Sequence, residues 1–290
     1  MIRFFNNILV FVLLFGLLSL GLVFSYQNRL KDSILSKVKP STHVVILGDS
    51  HFQNGIIDTF FNNYAINLSV SGETYFSAYQ KLQFLYNQNK SFDKILVSLG
   101  PHNLDSKIDS LWVKSEENFV SSFGVYGLFF NLNHLFAYFK ILGFGQYTAM
   151  SCFVEVVSQA IYSIERKILL NEFVYLGGFV PNTTVTAFKK INQEDTRVES
   201  IQISSIQSEY LGKIVKLAKM HGDTVYLINA PLFYGTKLSD DMRSLSNKNV
   251  VYLDFGDFFI RRNDLFADYV HLNPKGAELF TKRLKNDLNL

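Results

Sequence analysis

The chain has 290 residues, 48% of them hydrophobic and 15% aromatic, which is enough to bury a large core and excludes disorder over most of its length. Its 28 basic and 25 acidic residues leave a net charge of +3, and their scatter along the chain excludes a nucleic-acid binder. The single cysteine, Cys152, excludes an internal disulfide framework, and with no CxxC or HExxH spacing no metal site is expected.

Ile8 to Phe24 is an uninterrupted apolar run without charge. As a helix it would span roughly 25 Å, close to the hydrocarbon core of a bilayer once flanking residues are added. It is longer than a usual signal-peptide core, so residues 1–25 are read as an uncleaved signal anchor, with a cleaved signal as the rival. Residues 26–42 are polar and lysine-rich and read as a tether. Arg29, Lys31, Lys37 and Lys39 outnumber the positive charges before the run, and this alone favours a cytoplasmic body. The very short N-terminal tail begins like a signal sequence, and on that ground an extracytoplasmic body is expected.

The domain proper is placed at 43–290. His43 to Leu47 is a short β-branched strand that runs into Gly48-Asp49-Ser50-His51. Tyr64 to Val70 is a second strand, ending in Ser71-Gly72. Tyr75 to Tyr86 carries Phe76, Tyr79, Leu82 and Leu85 at helical spacing. Asp93 to Leu99 is a third strand, ending in Gly100-Pro101-His102-Asn103. Residues 105–199 are too many for one crossover and form an insertion. Its part from Phe119 to Phe179 is dense in Phe, Tyr, Leu and Gly, yet contains Lys140, Glu155, Glu165, Arg166 and Lys167. It is expected to be helical and to pack on the core beside the substrate cleft; the competing reading is a face that lies on a membrane or docks a membrane partner. Ser200 to Met220 follows as an amphipathic helix through Ile203, Ile206, Tyr210, Ile214 and Leu217, stopped by Gly222. Thr224–Asn229 and Val250–Asp254 are the fourth and fifth strands. Asn273-Pro274 reads as the N-cap and first residue of a last helix, Lys275 to Leu288. Apolar strands alternating with helices predict a parallel sheet covered on both faces.

The polar clusters all fall at the carboxyl ends of predicted strands, where ligands bind in such folds. A serine hydroxyl needs a base, the base is usually a histidine, and a carboxylate holds that histidine in the right tautomer. Ser50 after the first strand, and Asp268 three residues before His271, supply these groups. Backbone N–H groups near Ser50 and Gly72, with the Asn103 amide, supply candidate oxyanion donors. Asp49 is read as a turn-stabilising residue, and His51 and His102 as lining the site. His43, His134 and His221 lack partner spacing and are read as structural, and Cys152 as a buried thiol.

The four blocks, Gly48-Asp49-Ser50, Asn67 to Gly72, Gly100 to Asn103 and Asp268-Tyr269-Val270-His271, resemble the SGNH (GDSL-like) hydrolase superfamily. The resemblance covers about residues 43–103 and 200–290. It implies a flavodoxin-like three-layer α/β/α sandwich, Ser50 as nucleophile, Asp268 and His271 as its partners, and Ser50, Gly72 and an asparagine around the oxyanion. The third block departs from the family's Gly-x-Asn-Asp form, because His102 holds the asparagine's place and Asn103 follows it. Either Asn103 reaches the oxyanion through a one-residue shift, or His102 donates instead, or the hole is incomplete. His51 resembles the Gly-Asp-Ser-His variant of cell-envelope acyl-transfer relatives. What this implies is a membrane-anchored serine esterase or O-acyltransferase without cofactor, acting on an acylated envelope carbohydrate, with a membrane-bound acyltransferase as a partner. The alternative is a non-catalytic binding or assembly protein on the same fold.

Overall fold

The structure, a computed structural model, describes residues 2–109, 115, 117–118, 120, 151–152, 154–162, 177–184, 202–236 and 249–290. They divide into two compact units, Met1–Lys37 with Ser115–Leu176, and Val38–Lys114 with Gly177–Leu290.

In the first unit, helix α1 runs from Ile2 to Lys37. It carries the whole Ile8–Phe24 run and continues through most of the 26–42 segment. That continuation has a local cause. Residues 26–37 contain no Gly or Pro, and Tyr26 and Ile34, eight apart on one helical face, are buried. Pro40 follows the end of the helix, as expected of a residue that cannot extend it. Phe11, Leu14, Leu17 and Leu18 are exposed. Among the described residues no helix is long and apolar enough to cross a membrane; the side chains of Ile8, Leu9 and Val12, within the apolar run, lie outside that description. Residues 154–162 of the insertion are helical, with Cys152, Val156 and Ala160 buried. Most of the aromatic stretch, 121–150 and 163–176, lies outside the described residues, as does His134.

The second unit is built on a five-stranded parallel sheet: β1 (Val44–Leu47), β2 (Ala65–Asn67), β3 (Lys94–Ser98), β4 (Thr224–Asn229) and β5 (Val250–Asp254). The strand order is β2-β1-β3-β4-β5, with every pair parallel. This is the doubly wound order whose switch point, and hence whose ligand crevice, lies between β1 and β3. The helices are α2 (Ser50–Gly55), α3 (Tyr75–Asn87), the short turns α4 (Pro101–Leu104) and α5 (Ser106–Ile108), α6 (Ser205–His221) and α7 (Pro274–Asp287). The sheet with its helices fits a three-layer α/β fold.

Period-two alternation assigns the faces. Val44, Ile46, Leu96 and Ile228 form one core with Phe52 and Ile56 of α2 and Phe280 and Leu284 of α7. The intervening Val45, Leu47, Ile95, Val97 and Leu227 are equally buried and face the other side. There α3 packs on α6, and Phe76 meets Tyr210 edge to face, with ring centroids 5.0 Å apart.

Two boundaries differ from the sequence expectation. β2 ends at Asn67 instead of Val70, although Leu68 N–H and Val70 N–H still donate to Ile46 O and Gly48 O, and the Asn67 side chain braces the turn that follows. Its Oδ1 accepts from Ser69 N–H at 3.0 Å, and its Nδ2 donates to the carbonyls of Phe52 and Ile56. Helix α6 starts at Ser205, not Ser200, because Ser204 Oγ accepts from Gln207 N–H at 2.9 Å and caps it. Ile203 therefore lies outside the helix, in an antiparallel bridge with Asp105. Gly222 ends α6 in the left-handed conformation (φ 88°). The insertion leaves and returns at adjacent points. Ser106 N–H donates to Gln202 O, Ser204 N–H to Leu104 O, and Ser204 Oγ to buried Asp109.

Candidate active site

Four chain segments converge at the carboxyl edge of the sheet. The first follows β1. Gly48 lies where an added Cβ would meet Ser98 Cβ at 2.7 Å, so only glycine lets the chain pass this close to β3. Asp49 is the N-cap of α2, its side chain accepting from His51 N–H. Ser50 is the first residue of that helix.

The second segment precedes α7. Ala267 N–H donates to His271 O at 2.9 Å, and Phe266 bridges Leu272, which closes a tight loop over 267–271. Asn273 caps α7 through Gly276 N–H and also donates to the carbonyls of Asp264 and Phe266, with Pro274 at the first helical position. Inside the loop, Asp268 Oδ1 accepts from the N–H groups of Val270 (2.9 Å) and His271 (2.7 Å). The imidazole of His271 is thereby held between two partners. Its Nδ1 lies 2.8 Å from Asp268 Oδ2, and its Nε2 lies 2.8 Å from Ser50 Oγ. Ser50, His271 and Asp268, 221 residues apart at the extremes, form one hydrogen-bonded chain. With Nδ1–H donated to the carboxylate, Nε2 is left bare to take the serine proton. Burial pushes the Asp268 carboxyl up, but the bonds from the His271 ring and the two backbone N–H groups outweigh it and hold it below its usual value.

The loop after β2 supplies the candidate oxyanion donor. Glu73 N–H donates to Val70 O, closing a turn in which Gly72 has φ 71°, a conformation that favours glycine. Gln53 fixes this turn from α2, since its Oε1 accepts from both Ser71 N–H (3.1 Å) and Ser71 Oγ (2.7 Å). A late part of the insertion is pinned to the same helix. Val180 N–H donates to Gln53 O, and Asn54 Nδ2 donates to Val180 O. Gln53→Ala is expected to leave the fold intact but let the Gly72 N–H drift. A misplacement of about 1 Å costs up to roughly 10²-fold in kcat, with less change in KM. Steady-state kinetics on an acetyl ester checks this.

Next to Gly72, Glu73 is buried against Lys81 at 2.6 Å. Burial pushes its carboxyl up to about 7, the lysine offsetting this only in part. The folded protein thus holds this proton more tightly than the unfolded chain. Glu73 makes stability fall as pH rises from about 4.5 to about 7. Urea unfolding at pH 5 and pH 8 is expected to show that loss, on the order of 1–3 kcal/mol, and Glu73→Gln to remove it.

The fourth segment, after β3, carries His102 and Asn103. Asn103 is 6% exposed. Its Oδ1 accepts from Gly100 N–H at 2.7 Å, and its Nδ2 donates to Asp49 Oδ2 at 2.8 Å. Gly100 and Asn103 are the N-cap and third residue of α4, and a side chain at that third position reaches back to the cap N–H. The extra residue before the asparagine turns its amide into a clamp between the β1 and β3 loops. His102 also turns to Asp49, Nε2 to Oδ2 at 2.7 Å. His51 Nδ1 lies 3.2 Å from Asp49 Oδ1. The rings of His51 and His102 lie 4.3 Å apart, and those of His51 and His271 5.3 Å. Burial pushes Asp49 up, but the two histidines outweigh it and hold its carboxyl well below the usual range, while burial pushes His51 down. The N–H groups of Ser50 and Gly72 and the second N–H of the Asn103 amide are the candidate oxyanion donors.

Outside the site, His43 pairs with Asp93 at 3.0 Å and His221 stacks on Tyr86. Gln53 and Asn67 were not singled out as positioning residues from sequence. The only signal for Gln53 was its place three residues after Ser50, one helical turn on.

No known family profile matches the chain, and no curated protein matches it. Among solved structures it is similar to a provisionally assigned acylhydrolase from Bacteroides fragilis NCTC 9343 (12% identity, 87% of this chain and 88% of the other, TM-score 0.40). It is also similar to a provisionally assigned platelet activating factor from Streptococcus pneumonia (11% identity, 97% and 99%, TM-score 0.33). Likenesses this remote decide neither fold nor chemistry.

Proposed function

We propose that the protein is a serine esterase or O-acyltransferase, anchored in a membrane by α1 and acting on acyl esters of cell-envelope carbohydrate. The observation that carries the catalytic part is the continuous chain from Ser50 Oγ through His271 to Asp268. Ser50 Oγ attacks an ester carbonyl while His271 Nε2 takes its proton and Asp268 stabilises the imidazolium. The negative oxygen that forms is met by the N–H groups of Ser50 and Gly72. Collapse expels the alcohol, which takes the proton from His271, and leaves the acyl group on Ser50. His271 then deprotonates water or a sugar hydroxyl, which attacks the acyl carbon, and Ser50 leaves with the proton. Hydrolysis and transfer differ only in that second nucleophile.

The anchor rests on the charge-free Ile8–Phe24 run lying within one long helix with exposed Phe11, Leu14 and Leu17. The envelope location, the carbohydrate and a membrane-bound acyltransferase partner are analogy from the resemblance. The shifted third block, with His102 in the asparagine's place, favours the second reading, a non-catalytic binding protein. One assay separates them. The full chain in detergent is incubated with an acetyl ester, with and without a sugar acceptor. Acetate release or an acetylated sugar supports the enzyme, while neither product, with the carbohydrate still bound, supports the binding protein. For topology, a C-terminal reporter active only in the cytoplasm would refute an extracytoplasmic body.

A further inference from the structure

The loops after β1 and β3 bring one carboxylate and two imidazoles to a single point behind Ser50. One donor atom each from Asp49, His51 and His102 lies within 4.8 Å of the others, the one such cluster among the described residues. One carboxylate oxygen and two imidazole nitrogens suit a divalent transition metal, not a hard cation that prefers oxygen.

The surroundings are built for these positions. The Asp49 carboxylate is oriented by His51 N–H at 3.0 Å and by Asn103 Nδ2, which is itself held through Gly100. Such outer partners orient ligands in metal sites. A Cβ on Gly100 would fall 2.5 Å from His102 Cε1 and 2.7 Å from Nδ1, so the ring occupies space that only glycine leaves open. The His51 side chain is 9% exposed, and its Nε2 has no hydrogen-bond partner among the described residues. The nitrogen that faces Asp49 is the other one, Nδ1. The facing atoms are 2.7 Å (Asp49 to His102) and 3.2 Å (Asp49 to His51) apart. Bonds of about 2.1 Å in a tetrahedral site place ligand atoms roughly 3.4 Å apart, a separation inside the 4.8 Å that bounds these three donor atoms. His102, at 36% exposed, leaves a path for entry.

We propose that Asp49, His51 and His102 bind one divalent transition-metal ion of the Zn²⁺ class. Any protons on the nitrogens facing Asp49 pass to water, and the ion takes their lone pairs; nothing is oxidised or reduced. The bound ion joins the end of β1 to the end of β3 across the crevice, next to the nucleophile. This inference does not rest on acyl transfer.

The test uses the full chain in detergent, free of any affinity tag and stripped with a chelator. It is titrated with Co²⁺ and then with Zn²⁺. One Co²⁺ per chain is expected, with the visible absorption of a four- or five-coordinate ion, displaced by Zn²⁺. His102→Gln is expected to weaken binding by about 100-fold or more, and His43→Gln, which alters a separate His–Asp pair, to leave it unchanged. Far-UV circular dichroism confirms that both variants fold; His102 is chosen because it is half-exposed, whereas a change at buried His51 risks the fold. Less than stoichiometric Co²⁺, or binding that survives His102→Gln, overturns the proposal.

Discussion

Ser50→Ala is expected to lower turnover of an acetyl ester by roughly 10⁴-fold or more, to the level left by binding and oxyanion donors alone. The variant removes one oxygen and leaves Asp49, Gln53 and the helix cap in place, because the cap bond is made by the Asp49 side chain to His51 N–H. Stability should therefore change by less than about 1 kcal/mol, the scale of one lost hydrogen bond. His271→Ala is expected to match Ser50→Ala within a few fold, and the double variant to lose little more, because the two act as a unit. Steady-state kinetics beside urea unfolding separates lost chemistry from lost fold.

Asp268→Asn is expected to lower kcat by roughly 10⁴-fold while KM stays close to its original value. The carboxylate serves His271 twice, through its ring Nδ1 and through its backbone N–H. An amide can still accept one of these bonds, but its NH₂ facing Nδ1 would favour the tautomer with the proton on Nε2. That proton would point at Ser50 and leave no base. The sign of the pH effect follows from the same bonds. Because they hold the folded carboxyl below its usual value, the stability contributed by Asp268 is present above the unfolded chain's carboxyl range. It is lost as pH falls through the lower, folded value. Acid unfolding of wild type against Asp268→Asn measures that share.

The strand ends were legible because burial and β-branching are written locally. His43–Leu47 and Thr224–Asn229 read as apolar runs, and their register places Ser50 beside the β3 loop. Asn273-Pro274 and Gly222 announced helix ends through backbone rules that need no tertiary contact. Asp268 and His271 were legible as a pair because a three-residue loop keeps them together, whereas their reach to Ser50 depends on α7 packing on α2. What could not be read was the fate of side chains whose partners lie far along the chain. Asn103 reads as an oxyanion donor, but its bond to Asp49, 54 residues earlier, has no local signal. The same carboxylate collects His51 and His102, so the three-residue donor cluster has no spacing motif to announce it. Asn67 ties the end of β2 to α2 through the carbonyls of Phe52 and Ile56, a side-chain contact that propensity does not register.

In the proposed mechanism His271 makes Ser50 a nucleophile. The most direct measurement is mass mapping of the full chain, quenched in acid during turnover of an acetyl ester, with a fluorophosphonate ester as a second probe. An acyl or phosphonyl group is expected on the peptide containing Ser50, absent in Ser50→Ala and formed at least about 10³-fold more slowly in His271→Ala. Turnover with no adduct on Ser50 by either probe, or labelling at Ser50 that is equally fast without His271, would contradict it.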